Sequence, residues 1–270
     1  MEYLQQLFFL VILGGAVYLL YKRISFISAN IKLGKPLDRT DNPKQRWRNV
    51  LLVAFGQKKM FKRPIPAFLH LFVYVGFLVI NIEVLEFVTD GIFGTHRIFA
   101  PYLGGFYNFL MNTFELFAVL VLISCIVFLI RRNILKVSRF SGVEMTSWPR
   151  LDANVILLVE IALVLAILDM NAIDQILQAR GADHYTATGV LFFSSVFMPF
   201  FESLSTDTLI VLERVFWWLH IIGILSFAIY VTYSKHLHIF LAFPNTYYAN
   251  LEPAGKMQNM DSVTDEVKIM

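Results

Sequence analysis

The chain has 270 residues, 57% of them apolar and only 16% charged, with a mean hydropathy of +0.62. Soluble domains are about 45–50% apolar and about 25% charged, so the composition excludes an ordinary soluble enzyme and points to an all-α integral membrane protein. The net charge of +3 is no sign of nucleic-acid binding, because the basic residues concentrate in two loops between apolar segments.

The first apolar segment, about Tyr3 to Tyr21, is long enough to cross a bilayer. It lacks a small-residue cleavage site and reads as a retained helix rather than a signal peptide. The loop that follows holds 12 of the 23 basic residues, from Lys22 to Arg63. Within it, "NPKQRWRNVLLVAFGQ" places Trp47, Val50, Leu51, Ala54 and Phe55 on one helical face. This predicts an amphipathic helix over about 43–57, lying on the inner membrane surface and in contact with lipid.

The second span is about Pro66 to Phe87, and the outer loop after it, about Thr89 to Phe106, has one basic residue, Arg97. The third span is about Tyr107 to Ile130, and its loop carries Arg131, Arg132, Lys136, Arg139 and Arg150. The fourth is about Asp152 to Ile173, followed by an outer loop, about Asp174 to Asp207, with Arg180 alone. The outer loops have the Gly, Pro and aromatic content of short interfacial helices. The fifth span, about Leu209 to Phe243, exceeds what a bilayer needs and should tilt or protrude.

Lys and Arg placement sets the orientation: N-terminus outside, both basic loops and the C-terminus cytoplasmic. The expected setting is the cytoplasmic (inner) membrane of a bacterium or archaeon, crossed five times by a helical bundle over residues 1–245. Residues 246–270 turn polar and read as a cytoplasmic tail, or a linker to a further domain. The single cysteine, Cys125, sits mid-span as a small apolar residue, so no disulfide or cysteine-bound iron–sulfur cluster is expected in this chain.

Six histidines are present, and four of them (His70, His220, His236 and His238) fall on the second and fifth spans; His96 and His184 fall in the outer loops. On one unbroken helix, 18 residues make about five turns, so His220 and His238 share a face about 27 Å apart. His236, about 200° from His238, points elsewhere and reads as a surface residue. His70 and His238 both lie near the cytoplasmic ends of antiparallel helices. Two imidazoles at one depth across a bundle suit the axial ligation of haem iron. Polar residues at membrane ends are the alternative for these two. His220, deeper in its span, is costly there and points to function. Zinc is disfavoured, since no further ligand clusters with the pair at ligand spacing.

The stretch "HIIGILSFAIYVTYSKHLHIF" resembles the last helix of the gamma, haem b subunit of respiratory nitrate reductase. In that family two histidines 18 residues apart ligate two b haems, the second in a Ser-basic-x-x-His pattern that Ser234, Lys235 and His238 match. "FLHLFVYVGFL" resembles the family's second helix and aligns His70 with a cytoplasmic-side ligand. "GQKKMFKRP" and "SKHLHIFLAFPNTYYANLEP" look closer still to the membrane part of heterodisulfide-reductase-like iron–sulfur proteins, whose five-helix unit continues into a cytoplasmic cluster-bearing domain. The resemblance implies an inner haem held by His70 and His238, and an outer haem for which only His220 is matched. The family's other outer ligand is replaced by Ile80, beside Asn81. His96, His184 or no second haem at all stay open, as does a quinone contact for His220.

Quinol oxidation releases two protons, and carboxylates facing a cavity can take them. Glu83 is the expected acceptor. Glu86, three residues on, reads as interfacial and in contact with water, and Glu160 as a mid-span residue with a hydrogen bond or a role. Lys62 and Arg63 read as membrane anchors before haem-propionate partners. The function these features imply is electron transfer between the quinone pool and a cytoplasmic iron–sulfur domain or partner. The alternative is a haem-free membrane anchor of a respiratory complex.

Overall fold

The computed structural model describes residues 2–140, 142, 147–253, 255–256 and 260–270. Among them the chain is helical throughout, and five helices are long and apolar enough to cross a membrane. The chain forms two compact units, Met1–Gly34 with Met60–Leu237, and Lys35–Lys59 with His238–Met270.

The larger unit contains α1 (Glu2–Lys32), α3 (Pro64–Phe93), α4 (Ala100–Leu103), α5 (Gly105–Leu129), α6 (Trp148–Ala179) and α7 (Thr206–Val231). At about 1.5 Å per residue each long helix exceeds the roughly 30 Å hydrocarbon layer, so it tilts or projects. Packing runs from α1 to α3, α5, α6, α7 and back to α1, which closes a ring. Large apolar residues such as Leu78, Ile82, Ile123, Leu158 and Leu219 face outward. That surface suits lipid and would be untenable in water.

Association against lipid gains little from the hydrophobic effect, so close packing and buried polar contacts must specify the bundle. Both are present. Phe9 of α1, 1% exposed, lies over Gly91 of α3, where a Cβ would meet its ring at 2.6 Å. Cys125 is buried beside Ala118, Val121 and Leu168, as the small apolar residue expected. α6 is the most enclosed helix, with Asp174, Asn171 and Asp152 each 1% exposed.

Helix limits follow local chemistry. Proline occupies the first turn of α3 and of α6, where its missing N–H costs nothing. Ser205 caps α7 by accepting from Thr208 N. Gly94 ends α3 in the left-handed region (φ 68°), donating to Asp90 O at 2.7 Å. The connections from α3 to α5 and from α6 to α7 carry α4 and a 3-10 helix, Ser194–Phe200. α3 and α6 run further than the expected spans, so Asp90 and Asp174 are helical rather than loop residues.

The fifth span departs from expectation. It is not one helix to Phe243: α7 stops at Val231, a turn follows, then a 3-10 helix, Lys235–Leu237. Thr232 Oγ1 donates to Ile229 O (2.7 Å), and Asp152 of α6 accepts from Tyr230 OH (2.6 Å) and Lys235 N (3.2 Å). The Lys235 ammonium donates to Pro149 O. These contacts give the opened backbone the partners that helix continuation would have supplied. The shared face inferred for His220 and His238 required an unbroken helix and does not follow. Asp152→Ala is expected to lose about 1–3 kcal/mol, the cost of stranding buried donors. Thermal unfolding of the detergent-purified chain, followed by helical circular dichroism, measures it.

The smaller unit contains α2 (Pro43–Asn49), which continues as a π-helical turn (Val50–Phe55), α8 (His238–Tyr247) and α9 (Asp261–Ile269). Arg46, 2% exposed, joins α2 to the end of α8: it donates to Tyr247 O and Ala249 O, both at 2.9 Å, and pairs with Asp41 at 2.6 Å. Trp47 packs edge-on against Tyr247, and Phe55 against Phe243. The expected boundary at 245/246 falls within α8.

Candidate functional site

The end of the larger unit where α3 and α6 finish and α5 and α7 begin holds a buried polar network. α3 places Glu83, Glu86 and Asp90 three and four residues apart, along one face. After Gly94 the chain turns back, and Arg97 takes a left-handed φ of 52°. Asp90 holds that turn, accepting from Thr95 Oγ1 (2.5 Å), Arg97 N (2.8 Å) and Ile98 N (3.2 Å). The strained Arg97 backbone is thereby over-determined.

The Arg97 side chain enters the bundle and is 6% exposed. It donates to Asp174 Oδ2 (2.5 Å), Asn171 Oδ1 (2.9 Å) and Tyr107 OH (3.2 Å). Tyr107 OH donates to Glu86 Oε2 at 2.6 Å, and Glu86 Oε1 accepts from Phe99 N. Burial opposes the Arg97 charge, but Asp174 and Tyr107 more than offset it and raise its pKa well above the ordinary value. Asn171 continues to Glu115, which accepts from Phe193 N and Ser194 N. On α7, Arg214 grips Glu213 through two nitrogens, and Tyr185 OH donates to Glu213 at 3.0 Å. Burial, and then Glu213, push the Tyr185 hydroxyl up, so it stays a donor. Glu86 is therefore buried and doubly hydrogen-bonded, not in contact with water as its position suggested: Tyr107 and the turn at Phe99 cover it.

A small cleft, with about 30 Å³ of free volume, opens within this network. Five carboxyl groups line it: Glu83, Glu86, Asp90, Asp174 and Glu213. Four are held by the partners just described. Glu83, 5% exposed, makes no hydrogen bond among the described residues. Phe87 and Trp217 form an apolar wall, and His96 lines the same cleft.

Phe87 also touches His220, ring centroids 5.3 Å apart. His220 is 5% exposed, and its Nδ1 lies 3.0 Å from Leu163 O. A carbonyl can only accept, so Nδ1 carries the proton and Nε2 keeps its lone pair. Metal-bound histidines have this arrangement. Ile80 packs into the α5–α6 core and Asn81 donates to Phe77 O. Glu160 is half-buried without a hydrogen bond among the described residues.

His70 is half-buried in the second turn of α3. His238 opens α8 and is exposed, whereas His236 is half-buried against Phe227 at 5.7 Å. His236 is thus partly covered rather than a plain surface residue. His184 stacks near His96 (5.7 Å), and burial, then His96 and Arg214, lower its pKa. Among the described residues no group of three or more His, Cys, Asp or Glu is arranged to hold a metal ion.

Arg97, Asp90, Asp174, Tyr107 and Glu213 were not picked out from the sequence. Signals existed for two of them: Arg97 is the one Lys or Arg of its loop, and Asp90 follows Glu83 and Glu86 at helical spacing in an apolar run.

The chain is similar to two curated oxidoreductases. It is 28% identical over 265 residues to a probable iron–sulfur-binding oxidoreductase, FadF, of Bacillus subtilis, covering 97% of this chain and 35% of that protein. It is 27% identical over 227 residues to the EtfAB:quinone oxidoreductase of Syntrophomonas wolfei, covering 81% of this chain and 30% of that one. The chain thus spans about a third of the length of these relatives. The likeness fits oxidoreductases of the iron–sulfur and quinone kind, not nitrate reductase gamma subunits specifically. No family model and no solved structure matches.

Proposed function

We propose that this chain is a membrane-embedded b-type cytochrome domain that passes electrons between a quinone bound in the cleft and an iron–sulfur centre on the cytoplasmic side. The observation that carries this reading is the cleft itself. It is buried, walled by Phe87 and Trp217, and contains in Glu83 a carboxyl group with no committed partner. It lies one aromatic ring away from His220. The names of the two relatives, an iron–sulfur-binding oxidoreductase and a quinone oxidoreductase, support both ends of the path.

Haem, when bound, supplies a one-electron carrier whose potential its ligands tune. His220 would hold haem iron through Nε2, with the ring fixed by the Nδ1 contact to Leu163 O. His70 and His238 would each offer an imidazole to haem iron, as the family resemblance implies. The apolar wall excludes water from the quinone ring, and Glu83 takes a proton as quinol is oxidised.

A reduced-minus-oxidised absorption spectrum of the purified chain tests this directly. We expect b-type bands, with haem per chain counting one haem or two. His70→Ala and His238→Ala should each remove the inner haem, and His220→Ala the outer one. A wild-type spectrum with no haem bands sinks the proposal, and variants of His70 and His238 that both keep the full spectrum rule out that pair.

A further inference from the structure

The quinone reading, on which this inference rests, leaves one proton without a destination. Oxidation of a quinol to a quinone converts two C–O single bonds to C=O, releases two electrons and breaks two O–H bonds. Glu83 accounts for one proton. Of the other four carboxyl groups in the cleft, each already accepts from two or more donors, or from an arginine at two points.

His96 is different. Its side chain is 8% exposed, and its Nδ1 is buried without a hydrogen bond among the described residues. Buried polar nitrogens are rarely left unpaired, and each such case needs an explanation. The ring is fixed from outside the cleft by Tyr185, edge-on at 4.9 Å, and by His184 at 5.7 Å. On its other nitrogen, Nε2 lies 3.2 Å from Asp174 Oδ1. A carboxylate only accepts, so the proton of the neutral ring is drawn to Nε2 and the Nδ1 lone pair stays available. Asp174 Oδ1 also lacks an aligned hydrogen bond. Protonation of the ring places a full positive charge beside it. The pair is thus one proton short of complete, in a cleft that also holds Glu83.

We propose that His96 is the second proton acceptor of the quinone site: Nδ1 takes the hydrogen bond and then the proton of one quinol hydroxyl, while Glu83 takes the other. The two electrons leave one at a time, by way of the b-type haem of the proposed function, to its cytoplasmic iron–sulfur centre. Asp174 acts through His96 as a positioning residue, holding its tautomer and stabilising the imidazolium.

The test is quinol-driven haem reduction by the purified chain, with reduced decylubiquinone and reduced menadione as donors and the dithionite-reducible spectrum as control. His96→Ala should leave the dithionite spectrum and haem count unchanged while slowing quinol-driven reduction about 100-fold. His96→Gln, which restores a hydrogen-bonding group without a basic nitrogen, should recover quinone binding, read as Trp217 fluorescence quenching, but not the rate. Reduction of both variants within twofold of wild type overturns the assignment. Loss of haem in both makes His96 an iron ligand and overturns it equally. A wild-type chain that holds haem yet is not reduced by either quinol overturns the quinone reading and this inference together.

Discussion

Arg97→Met is expected to cost the larger unit about 3–5 kcal/mol, the penalty for removing one partner of a buried ion pair. The variant keeps most of the stem volume and deletes the guanidinium. Asp174 then keeps a buried charge with only Gln178 Nε2 at 3.0 Å and the His96 contact beside it. Asn171 Oδ1 loses its donor, and Tyr107 loses a neighbouring cation while still donating to Glu86. In lipid these losses cannot be offset by water, which makes polar contacts the main specifier of helix position. Arg97→Lys retains the charge but not the planar fork that reaches three side chains at once, so it should recover only part of the loss. Thermal unfolding of the detergent-purified variants checks the order: wild type, then Lys, then Met. A methionine variant as stable as wild type would show that the network does not hold the helix ends together.

The second large effect belongs to Glu83. Glu83→Gln preserves shape and hydrogen-bonding capacity and removes the carboxylate proposed to accept the quinol proton. Quinol-driven haem reduction should slow about 100-fold, at the low end of what a positioned acid–base group contributes, while the dithionite spectrum stays unchanged. Glu86→Gln is the matched control. Its carboxyl already accepts from Tyr107 OH and Phe99 N, so the same substitution one turn away should change the rate far less and stability more. Equal effects at the two positions would contradict the distinction between committed and uncommitted carboxyls.

The five spans were legible because length and hydropathy alone decide them; polar residues extend several helices beyond the apolar run, and the fifth stops short at Val231. Pro43 as a helix start was legible from its fixed φ; the π-helical continuation through Phe55 was not, since no sequence signal marks it. The break after Val231 was hidden for a different reason. Thr232, Tyr233 and Ser234 are compatible with a helix, and it is Asp152, about 80 residues earlier, that secures the turn. The shared face argued for His220 and His238 lost its basis with it, because helical phase carries over a break only if the break is foreseen. Glu83 was singled out by its depth in an apolar span, and it lies buried in the lining of the cleft. Arg97 and Asp174, 77 positions apart, meet only when the bundle brings the turn after α3 against α6, and a single sequence gives no sign of that meeting beyond a lone basic residue in its loop.

The central claim is that electrons pass between a quinone in the cleft and a haem in the same bundle. The most direct measurement adds a reduced short-chain quinol to the oxidised, purified chain and follows the absorption spectrum in a stopped-flow cell. The account predicts that b-type bands grow as quinol is consumed, that His220→Ala loses the fraction of the signal due to the outer haem, and that Glu83→Gln reaches the same endpoint slowly. A chain whose haem is reduced by dithionite but never by quinol, or one that holds no haem, would contradict it.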